Sequence, residues 1–131
     1  MNNWNELDGS TFFNMVFTNN IKIDEVKLFK LIIDTRNDEI TMAFNIKELP
    51  DRPPIKWSNM EFNACRIGII CSDIDDLLIK KLPKNVNVKM KIEQIGSRYK
   101  ISGVTNDFRI EFTASFVRLG DPSVYLTNEQ F

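Results

Sequence analysis

The chain has 131 residues, of which 43% are hydrophobic and 27% charged. This composition is typical of a folded domain rather than a disordered chain, and we predict one domain spanning residues 1–131. Lys and Arg total 17 against 18 for Asp and Glu, so the net charge is −1. That balance argues against a nucleic-acid partner, because phosphate contacts need a concentrated basic surface.

The sequence also limits where the protein acts and what it can catalyse. The first residues lack the basic start and apolar run of a secretory signal, and no apolar run approaches the roughly 20 residues of a membrane span. We therefore expect a cytoplasmic protein with no membrane partner. Histidine is missing, and the five glycines form no phosphate loop or nucleophile elbow. We predict that the protein is not an enzyme and needs no cofactor or metal.

Two cysteines support the same location. Cys65 and Cys71 lie in one predicted strand, where about 3.3 Å per residue separates them by about 20 Å. A disulfide needs Cα atoms within about 7 Å. Both are therefore predicted to be reduced, buried thiols, as is usual in cytosolic proteins.

The first predicted elements are a short helix and a β-hairpin. Ser10 and Thr11 precede the apolar cluster at residues 12–17, a pattern that predicts a helix N-cap. Residues 26–34 are rich in apolar and β-branched types and are followed by turn residues. Residues 40–46 then alternate between apolar and polar, the period of a strand with one buried face. These two segments are predicted to pair.

The middle of the chain contains a proline-rich loop and a second strand region. Three prolines within residues 49–54 remove backbone donors, so this segment cannot continue a central strand. We predict a stiff loop whose Trp57 packs onto the core, with a polyproline ligand at Pro53 and Pro54 as the alternative. Residues 61–71 have apolar side chains on both faces, which is typical of a central strand.

Strand patterns continue to the C-terminus. Residues 77–79 form either a short strand or a helical turn, residues 86–92 and 99–104 form a hairpin, and residues 108–117 form a long strand whose phenylalanines face the core. The sum is a β-dominated α+β fold, with an antiparallel sheet of about seven strands and one short N-terminal helix. Periodicity alone does not distinguish a curved sheet from a two-layer sandwich.

The acidic cluster of Asp73, Asp75 and Asp76 has two interpretations. A calcium loop beginning at Asp73 is excluded, since it would place Lys84 where a bidentate Glu is required. The cluster is then either a solvated loop in which Asp73 caps a helix, or a patch that faces a partner. No nearby cation is evident from the sequence, so we assign Asp75 and Asp76 to a partner-binding surface as a hypothesis.

Segments along nearly the whole chain match one family pattern. They are Trp4 with residues 7–10, residues 40–44, 86–92 and 112–116 and, most specific, residues 49–57 followed by Phe62 and Asn63. Together they resemble the immunity protein 50 family of bacteria, whose members are found beside polymorphic toxins. We assign a structural role to four residues of the most specific segment: Pro53, Pro54, Trp57 and Asn63.

The resemblance implies a protein that binds and neutralises a cognate toxin, with the C-terminal domain of the toxin as its partner. Such a protein either covers the catalytic groove of the toxin or holds it in an inactive shape. The resemblance supplies no contact residues. The alternative function is a small β-rich ligand-binding or scaffold module, with an apolar pocket between sheet and helix.

Overall fold

The computed structural model describes residues 1–82, 84 and 86–129, and within them the main feature is a closed, six-stranded antiparallel β-barrel. Its strands are β1 (Glu25–Asp34), β2 (Glu39–Ile46), β3 (Ala64–Lys80), β4 (Val86–Ile95), β5 (Arg98–Val104) and β6 (Arg109–Tyr125). The helix α1 (Thr11–Val16) precedes them, and short 3-10 turns lie at Trp4–Glu6 and Ile55–Trp57. The β-dominated antiparallel fold with a short N-terminal helix is thus confirmed.

The described strands number six rather than about seven because residues 77–79 belong to β3. This strand continues through the acidic cluster, where Asp73 and Asp76 have φ of 60° and 55°. Aspartate tolerates this left-handed conformation better than most residues, so the strand can bend without ending. Its register on β6 slips between Asp75 and Leu78. The cluster therefore lies in a strand, and Asp73 does not cap a helix.

Strand order around the barrel is β1-β2-β3-β6-β5-β4. The closing contact joins residues 25–28 of β1 to residues 86–89 of β4, so the sheet is one curved layer and not a two-layer sandwich. Alternate side chains fill the interior, and Ile40, Met42 and Phe44 of β2 are almost completely buried. The period of two predicted for β2 therefore marks its inward face.

Alternation in β6 changes phase near its middle. Ala114 and Val117 are both buried, whereas Phe116 is 66% exposed, so the prediction that Phe116 belongs to the core is wrong. Both strands beside β6 change near this point. The pairing of β5 with β6 stops at the pair of Tyr99 with Ala114, and β3, on the other side, bends at Asp73. The inward face of β6 therefore shifts between Ala114 and Val117.

The N-terminal segment completes the barrel wall beside β6, beyond the first residues of β5. Beyond Ala114, the backbone N–H of Leu119 in β6 donates to the carbonyl oxygen of Asp8 at 2.7 Å. Trp4 is completely buried, and its ring centroid lies 5.1 Å from that of Phe44. We call residues 1–24, which include this wall segment, the N-terminal closure.

Gly9 allows the N-terminal closure to approach β6. Its φ is +81°, and a Cβ atom built on it would lie 2.7 Å from the carbonyl oxygen of Leu119. Only glycine accepts both conditions without strain. The close backbone approach therefore explains why a glycine follows Asp8.

Both cysteines are buried in β3, as predicted. Burial raises the pKa of the Cys65 and Cys71 thiols to about 12. A thiol with so high a pKa carries almost no thiolate at neutral pH and is a poor nucleophile.

Candidate protein-binding surface

Two members of the acidic cluster are held by one arginine of β5. A guanidinium nitrogen of Arg98 lies 3.1 Å from a carboxylate oxygen of Asp73, and the other lies 3.2 Å from Asp75. The hydroxyl of Ser115 also donates to Asp73, and this bond, followed by Arg98, holds the pKa of Asp73 below its ordinary value. The expectation that no cation lies near the cluster is therefore wrong for Asp73 and Asp75.

Asp76 differs from its neighbours. Its side chain is exposed, and it makes no hydrogen bond or ion pair with the residues that the structure describes. Its φ of 55° turns the backbone within β3. Of the two residues assigned to a partner-binding surface, Asp76 thus has its charge free, while Asp75 shares the cation of Arg98.

The proline-rich loop lies beside α1. Pro53 is exposed, Pro54 is half-buried, and the two lead into the turn Ile55–Trp57. The ring of Trp57 meets the ring of Phe12 edge-on, with centroids 5.7 Å apart, and packs half-buried against the core. Trp57 contributes to the packing of this loop, but part of its ring remains in solvent.

Asn63 joins the start of β3 to the segment after β6. Its side chain accepts a hydrogen bond from the Thr127 backbone N–H at 2.9 Å and donates to the Thr127 carbonyl oxygen at 2.8 Å. Its backbone N–H donates to the carbonyl oxygen of Tyr125 at 3.1 Å. These bonds fix the chain after β6 and leave the Asn63 amide engaged.

A groove of about 750 Å³ lies between the N-terminal closure and β4. Its lining contains both signs of charge, including Lys22, Asp24, Lys91 and Glu93. It does not lie between α1 and the sheet, where a ligand-binding module was expected to hold its pocket. The mixture of charges points to no single class of ligand.

The wall of the barrel is incomplete next to the turn between β1 and β2. Residues 30–34 of β1 pair with β2 but with no described residue on their other side, since the contact with β4 ends at Leu28. Residues 75–80 of β3 pair with β6, but β2 ends its pairing at Ser72. We call these two half-strands, together with residues 81 and 82 that follow β3, the open edge.

Apolar side chains at the open edge line a groove of about 360 Å³. Leu31 and Ile33 of β1 lie on one side, and Ile79 with Leu82 lies on the other. Leu82 is 76% exposed, and residues 77–79 are exposed as well. Contiguous apolar surface on a monomer commonly marks a site of protein–protein contact.

One feature of the sequence could have indicated this surface, although it does not follow the alternation of a strand with one buried face. Residues 77–79 are three consecutive apolar residues, which a strand with one buried face does not need. Their neighbours Lys80, Lys81 and Lys84 indicate solvent rather than core. Phe29 of β1 is exposed as well. Its exposure could not have been found in this way, since it depends on where β4 begins to pair.

Other classes of site find little support. Within the described ranges, no group of three or more acidic, cysteine or histidine side chains is placed to hold a metal ion. No helix in this part of the chain is long and apolar enough to cross a membrane.

Comparison with known proteins identifies one family. The family model described as immunity protein 50 matches residues 9–125, which contain α1 and all six strands described above. No curated protein and no solved structure matches the chain. The family match begins within the N-terminal closure, at Gly9, and reaches the end of β6. The chain belongs to the immunity protein 50 family.

Proposed function

We propose that this protein is a bacterial immunity protein that binds the C-terminal domain of a cognate polymorphic toxin and neutralises it. The observation that carries the proposal is the family match over residues 9–125. Binding requires no catalytic group of its own, which is consistent with a sequence that lacks histidine. In this proposal the protein works in the cytoplasm, is not an enzyme and has no nucleic-acid or membrane partner.

The surface chemistry supports a protein partner. Apolar side chains at the open edge can supply the buried centre of an interface, and charges around it can supply complementarity. Asp75 and Asp76 are proposed to belong to this partner-binding surface, with Asp76 the stronger member because Arg98 already holds Asp75. Charges at the rim of an interface act mostly on the association rate.

Co-expression tests the proposal. The toxin domain encoded beside the gene is expected to arrest growth when expressed alone, and this protein is expected to restore growth. The matched control is the same toxin domain expressed with an unrelated immunity protein, which should leave growth arrested. Growth that stays arrested while both proteins are soluble and abundant would show that the two are not a cognate pair.

The ligand-module alternative makes a different prediction. A metabolite-binding protein would be encoded among metabolic genes and would not form a complex with a toxin domain. Size-exclusion chromatography of the two purified proteins distinguishes the functions, since an immunity complex elutes ahead of either component.

A further inference from the structure

Basic side chains lie beside the apolar groove of the open edge, although the whole chain carries a net charge of −1. Asp75 and Asp76 lie at the start of the β3 half-strand and are not part of the lining of this groove. Lys30 lines the groove itself. On the other side of Leu82, a second groove of about 260 Å³ is lined by Lys81, Lys84 and Asp107. The ion pair of Lys81 with Asp107, at 3.7 Å, uses the one carboxylate in this lining.

Two of these lysines remain without a carboxylate. Lys30 and Lys84 are exposed and form no ion pair with any residue in the described ranges. Their charge is therefore available to a partner. The combination of an apolar groove with basic residues beside it favours an apolar side chain flanked by acidic ones.

An arginine extends this surface beyond Phe29. The guanidinium carbon of Arg66 lies 4.4 Å from the ring centroid of Phe29 and 4.8 Å from that of Tyr125. Two aromatic rings thus restrict the orientation of this side chain, which lowers the entropy that it loses on binding. The buried Asn45 amide donates to the Tyr125 hydroxyl and helps to fix that ring.

Arg66 also lacks an acidic partner within the described part of the chain. The carboxylate that lines the pocket around it, Glu129, is paired with Lys27 at 3.6 Å. Phe29 lines both this pocket and the apolar groove, so the two form one continuous surface. Arginine and aromatic residues in this arrangement are typical of the residues that dominate binding energy at interfaces.

We propose that this surface, formed by Arg66, Phe29, the apolar groove and Leu82, is where the toxin domain docks, through a segment that inserts an apolar side chain between acidic residues. The proposal rests on the proposed immunity function. Arg66 receives one acidic side chain of the toxin in a bidentate contact. Lys30 and Lys84 attract the others.

Other occupants fit the surface less well. A second copy of this chain bound through the same face would bring Lys30, Lys84 and Arg66 close to like charges, which disfavours a symmetric dimer. A nucleic acid would find phosphate partners in the lysines but would leave Leu82 and the apolar groove in contact with a charged backbone. An acidic protein segment satisfies both components.

Three charge-altering variants test the docking surface by isothermal titration with the purified toxin domain encoded beside the gene. Arg66→Glu is expected to raise the Kd at least about 30-fold, because it removes an anchor and opposes an acidic partner. Leu82→Asp is expected to raise the Kd about 10-fold or more, because it places a carboxylate at the apolar groove and close to the acidic residues of the partner. The matched control is Lys100→Glu, which replaces a positive charge by a negative one as Arg66→Glu does. Lys100 lies on β5, outside these grooves, so this variant should change the Kd less than about threefold.

The possible outcomes distinguish a wrong docking surface from a wrong immunity function. Thermal melting of every variant is measured first, and Leu82→Asp should melt with the parent because its side chain is so exposed. If the parent binds and both Arg66→Glu and Leu82→Asp bind as tightly, the docking surface is wrong while the immunity function stands. If the parent itself does not bind the toxin domain, the proposed function falls and the docking surface falls with it. A Kd raised for Arg66→Glu and Leu82→Asp but not for Lys100→Glu supports the assignment.

Discussion

The barrel has two places where a neighbouring strand is missing, and the chain treats them in opposite ways. Beyond the start of β5, where its pairing with β6 stops at Ala114, the N-terminal closure supplies a backbone partner to Leu119 and buries Trp4 against Phe44. At the open edge, β1 and β3 lose their partners, and no described residue takes their place. One gap is filled by the protein itself, and the other remains as apolar surface.

This difference separates the needs of stability from those of binding. An unpaired strand edge with apolar side chains invites association with another chain, and proteins usually protect such edges with charge or a covering segment. Here lysines flank the open edge but do not cover it. The comparison therefore predicts that substitutions at the N-terminal closure affect unfolding, while substitutions at the open edge affect binding.

Trp4→Ala is expected to produce the largest loss of stability. The side chain is completely buried against Phe44, and removing a buried tryptophan typically costs about 3 to 5 kcal/mol. The free energy of unfolding is measured by urea titration. Leu82→Ala at the open edge is the control and should change it by less than about 0.5 kcal/mol. Equal losses for the two variants would contradict the contrast between the two gaps.

Gly9→Ala tests the backbone contact of the N-terminal closure and is expected to have an intermediate effect. The variant forces alanine to a φ of +81° and brings its Cβ within 2.7 Å of the Leu119 carbonyl oxygen, so we expect a loss of about 1 to 3 kcal/mol. Gly96→Ala is the matched control, since Gly96 also has a positive φ of 63° but no neighbouring atom within 4 Å. The difference between the two variants isolates the close contact with β6. A loss for Gly96→Ala as large as that for Gly9→Ala would show that the conformation alone decides the cost.

How far the sequence could anticipate these features depends on the range of the interactions involved. The alternation of β2 follows from neighbouring residues only, and its inward face was predicted correctly. The strand pairing that closes the barrel, between residues 25–28 of β1 and 86–89 of β4, joins segments about 60 positions apart, and no local pattern specifies such a pairing. The prediction therefore stopped at a curved sheet or a sandwich.

The acidic cluster shows a second limit. Aspartates are common in turns, so Asp73, Asp75 and Asp76 indicated a loop between two elements. In the folded protein, pairing with β6 and the ion pairs with Arg98 keep this segment within β3. The proposed docking surface escaped prediction for the same reason, since Phe29, Arg66 and Tyr125 come together only when β1, β3 and β6 meet.

The smallest expected effect concerns the charge of Asp76. Replacing both Asp75 and Asp76 would also disturb the ion pair with Arg98, so the single variant Asp76→Asn gives the clearer test. Asparagine tolerates the φ of 55° at this position, and the melting temperature should stay nearly unchanged. If Asp76 faces basic residues of the toxin, its loss should slow association about two- to threefold at low ionic strength, and the difference should shrink as salt screens the charges. Stopped-flow mixing with the toxin domain measures the rate, and Asp121→Asn removes the same charge from an exposed position of β6 as the control.

An unchanged rate for Asp76→Asn would make Asp76 a solvated residue of a bent strand. A faster rate would show that Asp76 faces acidic residues of the toxin, like those proposed to meet Lys30 and Lys84, and would remove Asp76 from the attractive part of the interface.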